Sequence, residues 1–157
     1  MCCMNDLFKY YEGGLRDFIA EALVTKNRLI KRVISPANSK LVSDLQKKGI
    51  SINLSYNHIL DNNAARHAMK NHGDVWEEMR GQIPLTDENL LHIPDIVENY
   101  ESLDTRRNRR NQDIIIYSRT MGQGIMFYVE EIRLGRRELA ASTMYKRKKD
   151  DSPTQIE

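Results

Sequence analysis

Three consecutive segments in the last third of the chain restrict its fold more than any other feature of the sequence. They cover residues 113–119, 124–133 and 138–146; the first contains three consecutive isoleucines, and the other two carry apolar or β-branched residues at alternate positions. This composition and period favour strands. The glycine-containing connections at 122–124 and 134–137 are typical of hairpin turns. The three segments therefore predict an antiparallel meander.

The residues before this meander show helical periodicity instead. Apolar side chains recur at helical spacing within 7–28, 39–48 and 62–73, whereas 29–34 and 50–55 have the composition and alternation of short strands. Helices that precede strands along a chain are typical of the α+β class. We therefore predict an α+β fold in which N-terminal helices pack on a small antiparallel sheet that ends in a three-stranded meander.

Shorter elements are predicted between the helices and the meander. Thr86 is a typical helix cap, and Pro94 stands at the start of a second short helix, where proline is tolerated. The run 104–112 contains four arginines and no apolar period. It predicts a solvated loop, with contacts to phosphate groups as the functional alternative.

The composition is that of one globular domain. The chain has 157 residues, of which 40% are hydrophobic and 29% charged, and its formal charge is +2. A basic surface must therefore be local. No apolar run approaches the roughly 18 residues of a membrane span, and the first residues lack the pattern of a secretory signal. Cys2 and Cys3 are adjacent, which disfavours a disulfide. We therefore expect a cytoplasmic protein without a membrane partner.

We divide the chain into three parts. Residues 1–28 are predicted to form an N-terminal helical extension, residues 29–148 the main domain, and residues 149–157 a disordered, charged tail. Three interpretations of the extension stay open: it covers an edge of the sheet, it mediates self-association into a homo-oligomer, or it is a remnant of a larger fusion.

The predicted helix 62–73 contains two of the four histidines of the chain. At about 100° per residue, His72 lies within the apolar stripe of this helix and His67 at its edge. Gly73 follows at the position where helices commonly end in a left-handed residue. One histidine therefore faces the packed side and the other borders it. The alternative interpretation is a packing histidine and a surface histidine.

The sequence lacks the motifs of several kinds of catalytic or cofactor-binding site. A zinc-hydrolase helix places its histidines four residues apart, whereas His67 and His72 are five apart. The glycines at 122 and 124 are not followed by a helical segment, so they do not form a phosphate loop. The sequence contains no motif for a serine nucleophile. We therefore expect neither a metal nor an organic cofactor.

The kind of site that remains is one that uses acid–base catalysis without a metal. Cleavage of RNA by the neighbouring 2′-hydroxyl needs a base, an acid and cations beside the charged phosphorane, and histidine titrates near neutral pH. The candidate acid and base are His67 and His72. The remaining candidates are Lys70, Arg119 and Lys146 for phosphate charge, Ser142 and Thr143 for a phosphate oxygen, and Tyr145 for stacking on a base. Each of these also suits an ordinary solvated position.

Three motifs in this order resemble a known family. They are His67-Ala68-Met69-Lys70-Asn71-His72-Gly73, the acidic segment 86–97, and Ala140-Ala141-Ser142-Thr143-Met144-Tyr145-Lys146. In combination they resemble the phage-associated nuclease domains of the barnase–EndoU–colicin–RelE superfamily, over residues 29–148. The N-terminal extension lies outside this pattern.

The resemblance implies a metal-independent ribonuclease in which helices cover one face of a small sheet and RNA lies on the other. It implies a site that combines His67 or His72 with Thr143 and a basic residue. Strand alternation conflicts with one pairing, because Thr143 and Lys146 point to opposite faces unless the strand is bulged or twisted at its end.

We therefore predict a toxin-like endoribonuclease of phage or mobile-element origin that acts on RNA, with His67 as the first choice of acid or base. A toxin of this kind requires an immunity protein as a partner. The alternatives are a non-catalytic nucleic-acid-binding module that uses the arginine run, and a phage structural protein that docks through the N-terminal helix.

Overall fold

The structure, a computed structural model, describes residues 10–72, 82–122 and 124–149. Its helices are α1 (Leu15–Val24), α2 (Ser39–Lys47), α3 (Asn62–His72), α4 (Asp87–Leu90) and α5 (Ile93–Asn99), with a 3-10 turn at Leu134–Arg136. Its strands are β1 (Lys31–Pro36), β2 (Asn57–Asp61), β3 (Gln82–Ile83), β4 (Ser102–Arg107), β5 (Asp113–Met121), β6 (Gly124–Arg133) and β7 (Glu138–Lys148). The α+β prediction is confirmed.

All seven strands belong to one sheet, in the order β1-β2-β7-β6-β5-β4; β2 pairs with the first residues of β7, and β3 pairs with its last residues. The predicted meander is confirmed as β5, β6 and β7, which pair as antiparallel neighbours. β4 extends it on one side. The pairing of β2 with β7 is parallel. The sheet is therefore larger than the meander and mixed at its centre.

The strand predicted at 50–55 is wrong, and the strand lies instead at β2. Two backbone N–H groups are bonded locally, because Ser55 donates to the Asn53 side chain at 2.9 Å and Tyr56 donates to the Asn53 carbonyl at 3.2 Å. Asparagine commonly forms such turns. The sequence of β2 shows no alternation of apolar and polar residues, because four of its five residues are buried. Such burial is expected for a strand with neighbours on both sides.

The loop predicted at 104–112 is also wrong in part. Its first half is β4, which pairs with β5 from Ser102 to Arg107, and the turn follows from Asn108. β4 lies at the edge of the sheet, and four of its six residues are exposed. Edge strands tolerate charged side chains well, so an arginine run is compatible with strand structure there.

One face of the sheet forms the main core. It carries Ile115, Tyr117, Met126, Tyr128 and Met144, each at most 1% exposed. Helices α2 and α5 lie against this side. The ring of Tyr100, at the end of α5, packs 5.5 Å from the ring of Tyr117, and its hydroxyl donates to Asp44 of α2 at 2.5 Å. We call this the helix face of the sheet.

The predicted N-terminal helix is confirmed over a shorter range, as α1. Phe18, Ile19 and Ala22 of α1 are buried and join the same core as the other helices. No helix in residues 10–72, 82–122 or 124–149 is long and apolar enough to cross a membrane. Gly73 and residues 150–157, for which a helix end and a disordered tail are predicted, lie outside the described residues.

Candidate active site

Helix α3 is fixed at its start by two polar side chains. The carboxylate of Asp61 accepts a hydrogen bond from the backbone N–H of Ala64 at 2.8 Å, which satisfies one of the free donors of a helix start. The fully buried Asn62 accepts from Ile30 N–H at 3.0 Å and donates to the carbonyls of Thr25 and Arg28 at 2.8 Å. These bonds hold α3 against the segment that connects α1 with β1.

The two histidines of α3 point in different directions. They are separated by about 140° around the helix axis, because five residues turn it by about 500°. His67 is exposed and lies 3.0 Å from the side-chain amide of Asn71. Lys70 is exposed as well. His72 is half-buried, and its ring packs 5.6 Å from the ring of Tyr145 on β7.

Tyr145 is the centre of an aromatic cluster. Its ring stacks on that of Phe127 at 4.9 Å with an interplanar angle of 8°. The guanidinium of Arg147 lies 5.5 Å from the Phe127 ring and 5.6 Å from the Tyr145 ring. We call His72, Phe127, Tyr145 and Arg147 the aromatic platform. Phe127 and Tyr145 are cross-strand neighbours in β6 and β7 and are both partly exposed.

The platform lies on the sheet face opposite the helix face. Tyr145 pairs with Phe127, whereas the preceding residue, Met144, pairs with the buried Tyr128. Successive side chains of a strand alternate between the faces. Thr143 pairs with Val129 and therefore shares the face of Tyr145. We call this second side of the sheet the platform face.

A β-bulge separates Thr143 from the residues before it. Thr143 pairs with Val129 and Ala141 with Glu130, so that Ser142 is the extra residue. A bulge reorients the side chains beside it. The Thr143 hydroxyl oxygen is shielded from solvent and has no hydrogen-bond partner among the described residues. Buried hydroxyls without partners are uncommon, so this group calls for an explanation.

Arg119 and Lys146 lie on the helix face, away from Thr143 and Tyr145. They pair with the two sides of Met126 and line a cleft of about 390 Å³ together with His92. The Arg119 guanidinium donates to Asp95 at 3.1 Å and to the Asn99 carbonyl at 2.7 Å. The bulge does not bring Lys146 to the platform face, because it precedes Thr143.

The predicted site residues are therefore distributed over three places. Thr143 and Tyr145 share one face of β7, His72 packs against Tyr145, and Ser142 lies at the adjacent bulge. The structure separates Arg119 and Lys146 from them by the thickness of the sheet. His67 and Lys70 lie on the exposed side of α3.

Sequence reasoning missed Phe127 and Arg147. Both are partners of Tyr145 in the platform, and their contacts depend on the register between β6 and β7. A weak signal existed, because Arg147 follows Tyr145 at the spacing of two that places residues on one strand face.

A buried polar network around Glu130 was also missed. The His58 ring lies 2.7 Å from one carboxylate oxygen of Glu130, and the Tyr117 hydroxyl donates to the other at 2.5 Å. Burial, and then the Glu130 carboxylate, raises the pKa of Tyr117 and of Tyr128 well above the ordinary value. His58 and Glu130 are at most 1% exposed, so this network is structural rather than a substrate site.

The part of the chain that the structure describes holds no group of three histidine, cysteine, aspartate or glutamate side chains arranged to bind a metal ion.

Comparison with known families identifies the chain. Its residues 37–152 match the family described as phage-Barnase-EndoU-ColicinE5/D-RelE like nuclease3. This range includes the platform, α3 and the whole meander, and it confirms the resemblance based on the three sequence motifs. No curated protein and no solved structure shows a significant similarity to the chain. The match covers most of the 157 residues, and the chain therefore belongs to this family of nuclease domains.

Proposed function

We propose that the protein is a metal-independent endoribonuclease that cleaves RNA on the platform face by histidine acid–base catalysis. In this reaction the 2′-hydroxyl loses its proton to a base and attacks the adjacent phosphorus. The bond to the 5′-oxygen breaks, and that oxygen receives a proton from an acid. The products are a 2′,3′-cyclic phosphate and a free 5′-hydroxyl.

The observation that carries this proposal is the contact between His72 and the stacked pair of Tyr145 and Phe127. Exposed aromatic faces bind unpaired bases by stacking, which contributes about 1–3 kcal/mol per base. A base held on Tyr145 would bring its ribose and phosphate close to the imidazole. Proximity of this kind is a large part of catalysis by positioned groups.

The other roles follow from position on the same face. We propose His72 as the acid or base nearest the substrate and His67 as the second candidate, which requires the RNA to reach the exposed side of α3. Thr143 is proposed to bind a phosphate oxygen beside Ser142, which requires its hydroxyl, shielded from solvent in this structure, to become accessible to RNA. Arg147 supplies a cation at the platform.

Arg119, Lys146 and Lys70 are proposed as weaker contributors to phosphate binding. Arg119 and Lys146 line the cleft on the helix face, and Arg119 is already bonded to Asp95. A contact with substrate on the platform would require the RNA strand to pass around the end of β7. Substitution of these residues should therefore affect cleavage less than substitution at the platform.

The experiment is cleavage of RNA in excess EDTA by the wild type and by His72→Gln and His67→Gln. General acid–base groups contribute about 10²–10⁴-fold, so the His72→Gln variant should lose at least about 100-fold in rate. Lys26→Gln is the control, because Lys26 is exposed and lines neither the cleft on the helix face nor the platform. Undiminished cleavage by both variants, or loss of wild-type activity in EDTA, would contradict the proposal.

We further propose that the protein acts as a toxin of phage or mobile-element origin in the cytoplasm, with an immunity protein as its partner. The phage association of the family supports this setting. Expression of the wild type should then arrest growth of a bacterial host, and expression of His72→Gln should not. Equal growth of both strains at equal protein level would contradict the toxin proposal.

A further inference from the structure

One end of the sheet concentrates arginine. The β4–β5 turn and the β6–β7 turn lie side by side, because β5 and β6 are antiparallel neighbours and Ile114 pairs with Glu131. Seven arginines belong to these two turns and the strand ends that enter them: Arg106, Arg107, Arg109, Arg110, Arg133, Arg136 and Arg137. We call this set the arginine end. Its two halves are far apart in the sequence and meet only through the register of the sheet.

A cleft of about 590 Å³ opens between the two turns. Arg107, Arg133 and Arg136 contribute to its walls, and Asn111 and Gln112 add amide groups. Guanidinium groups bind phosphate through paired, parallel N–H donors, and amides can bond phosphate or sugar oxygens. The lining of this cleft therefore suits a phosphodiester backbone.

Several of these arginines form ion pairs with carboxylates. Arg106 pairs with Asp104, Arg107 with Asp113, and Arg110 with Glu131. The guanidinium side chains in these pairs remain 60–75% exposed, so the pairs are weak and the arginines can exchange partners.

The arginine end is more basic than the molecule as a whole. Glu138, the fourth carboxylate, is shared between Arg133 and the buried Lys31. Residues 104–113 and 131–138 contain seven arginines and four carboxylates, a formal charge of +3, whereas the formal charge of the whole chain is +2. The remainder of the chain is therefore slightly acidic, and an anionic polymer is drawn to this end.

We propose that the arginine end is a docking surface for the phosphate backbone of the RNA whose cleavage site lies on the aromatic platform. Arg133 shares the platform face with Phe127, because the two are six residues apart on β6. At about 3.3 Å per residue, the distance between them is about 20 Å. The surface therefore contacts nucleotides several positions away from the scissile bond. This inference rests on the proposed function for the identity of the polymer.

Substrates of different length distinguish the aromatic platform from the arginine end. A dinucleotide occupies the platform but cannot bridge about 20 Å, since a helical strand advances about 3.4 Å per nucleotide. A long single strand reaches both. The arginine end should therefore increase affinity for long RNA and have no effect on a dinucleotide.

The test uses the variant Arg106→Gln/Arg109→Gln/Arg137→Gln, which removes three positive charges and retains side-chain length. Its matched control, Lys26→Gln/Lys47→Gln/Lys48→Gln, removes the same charge from exposed positions outside the arginine end. Affinity for a long single-stranded RNA is measured against salt concentration in the His72→Gln background, so that RNA is not consumed. Dinucleotide cleavage is measured with the same substitutions in the active background.

The arginine variant should reduce the slope of log K against log salt by about 2, because each phosphate contact on a single strand contributes about 0.7. The lysine control should leave the slope unchanged, and dinucleotide cleavage should be equal in all variants. An unchanged slope in the arginine variant, or poly-glutamate competing as well as RNA of equal charge, would overturn the inference. The latter result would indicate an acidic protein partner. A lowered slope without any cleavage by the wild type would support the docking surface and contradict the proposed catalysis.

Discussion

Tyr145 is the residue on which the candidate site depends most, because it contacts His72, Phe127 and Arg147 at once. Replacing Tyr145 by alanine should weaken binding of single-stranded RNA by about 1–3 kcal/mol, the usual contribution of one base–aromatic stack. Tyr145→Phe should bind almost as tightly, since the ring remains. The measurement is the dissociation constant of each variant in the His72→Gln background. Equal affinity of Tyr145→Ala and the unsubstituted protein would show that bases do not stack there.

His58 has a structural role that stability measurements can separate from catalysis. Removing its ring in His58→Ala leaves one buried oxygen of Glu130 without its hydrogen-bond partner, a change that typically costs about 1–3 kcal/mol. Urea unfolding should show this loss in the free energy of unfolding. His92→Ala, at an exposed position, should change it by less than about 0.5 kcal/mol. A His58→Ala protein as stable as the wild type would refute the assignment.

At the residue scale, the sequence predicts which face a side chain occupies better than it predicts its neighbours. Alternation correctly separates Thr143 from Lys146, because it depends only on spacing along one strand. The stack of Tyr145 on Phe127 depends on the register between two strands, and the bulge at Ser142 alters that register. Local sequence does not determine register where a bulge is present.

Among the elements, α1 shows how far the core extends beyond the segment matched to the family. The match begins at residue 37, yet α1 contributes Phe18 to the common core and β1 pairs with β2. Phe18→Ala should lower the free energy of unfolding by about 3–5 kcal/mol, as expected for a fully buried phenylalanine. Val24→Ala, on the exposed side of α1, is the control. A small effect of Phe18→Ala in urea unfolding would mean that α1 is dispensable for folding.

Elements with local signals were predicted well. Asn38 caps α2, accepting from Leu41 N–H at 2.8 Å, and the N–H of Thr86 donates to Asn89 at the start of α4. Such bonds form within three residues and can be anticipated from the sequence. β2 and β4 were not predicted, because their strand structure depends on neighbouring strands distant in the chain.

For the whole molecule, tyrosine ionisation predicts a loss of stability at alkaline pH. Burial, followed by the hydrogen bond to Glu138, raises the pKa of Tyr10 from 10.0 to about 12. The pKa values of Tyr100, Tyr117 and Tyr128 are raised as well, with burial again the largest cause. The tyrosine hydroxyls of the unfolded chain therefore lose their protons at a lower pH than those of the folded chain. The stability present below pH 10 is consequently lost as the pH rises toward 12.

The corresponding measurement is the melting temperature between about pH 9 and pH 12, a range that includes the ordinary pKa of tyrosine and the raised pKa of Tyr10. It should fall steadily in the wild type. Tyr10→Phe/Tyr100→Phe should flatten the fall, since phenylalanine does not ionise. A melting temperature of the wild type that is constant over this range would contradict the tyrosine account.

At the scale of the whole molecule, the fold class, the meander and the family were accessible from sequence patterns, and the distribution of charge was not. A formal charge of +2 suggests little affinity for RNA. The sheet nevertheless brings Arg106–Arg110 beside Arg133–Arg137, which are separated by the whole of β5 and β6. Charge that is dispersed along the chain is thus concentrated at one end of the fold.

Attack by the 2′-hydroxyl is tested by comparing cleavage, in EDTA, of one RNA oligonucleotide and of the same oligonucleotide with a 2′-deoxy sugar at the cleaved position. The RNA should be cut to a fragment ending in a 2′,3′-cyclic phosphate, and the 2′-deoxy oligonucleotide should stay intact at that position. Cleavage of the 2′-deoxy oligonucleotide at the same position and rate would contradict attack by the 2′-hydroxyl and, with it, the proposed mechanism.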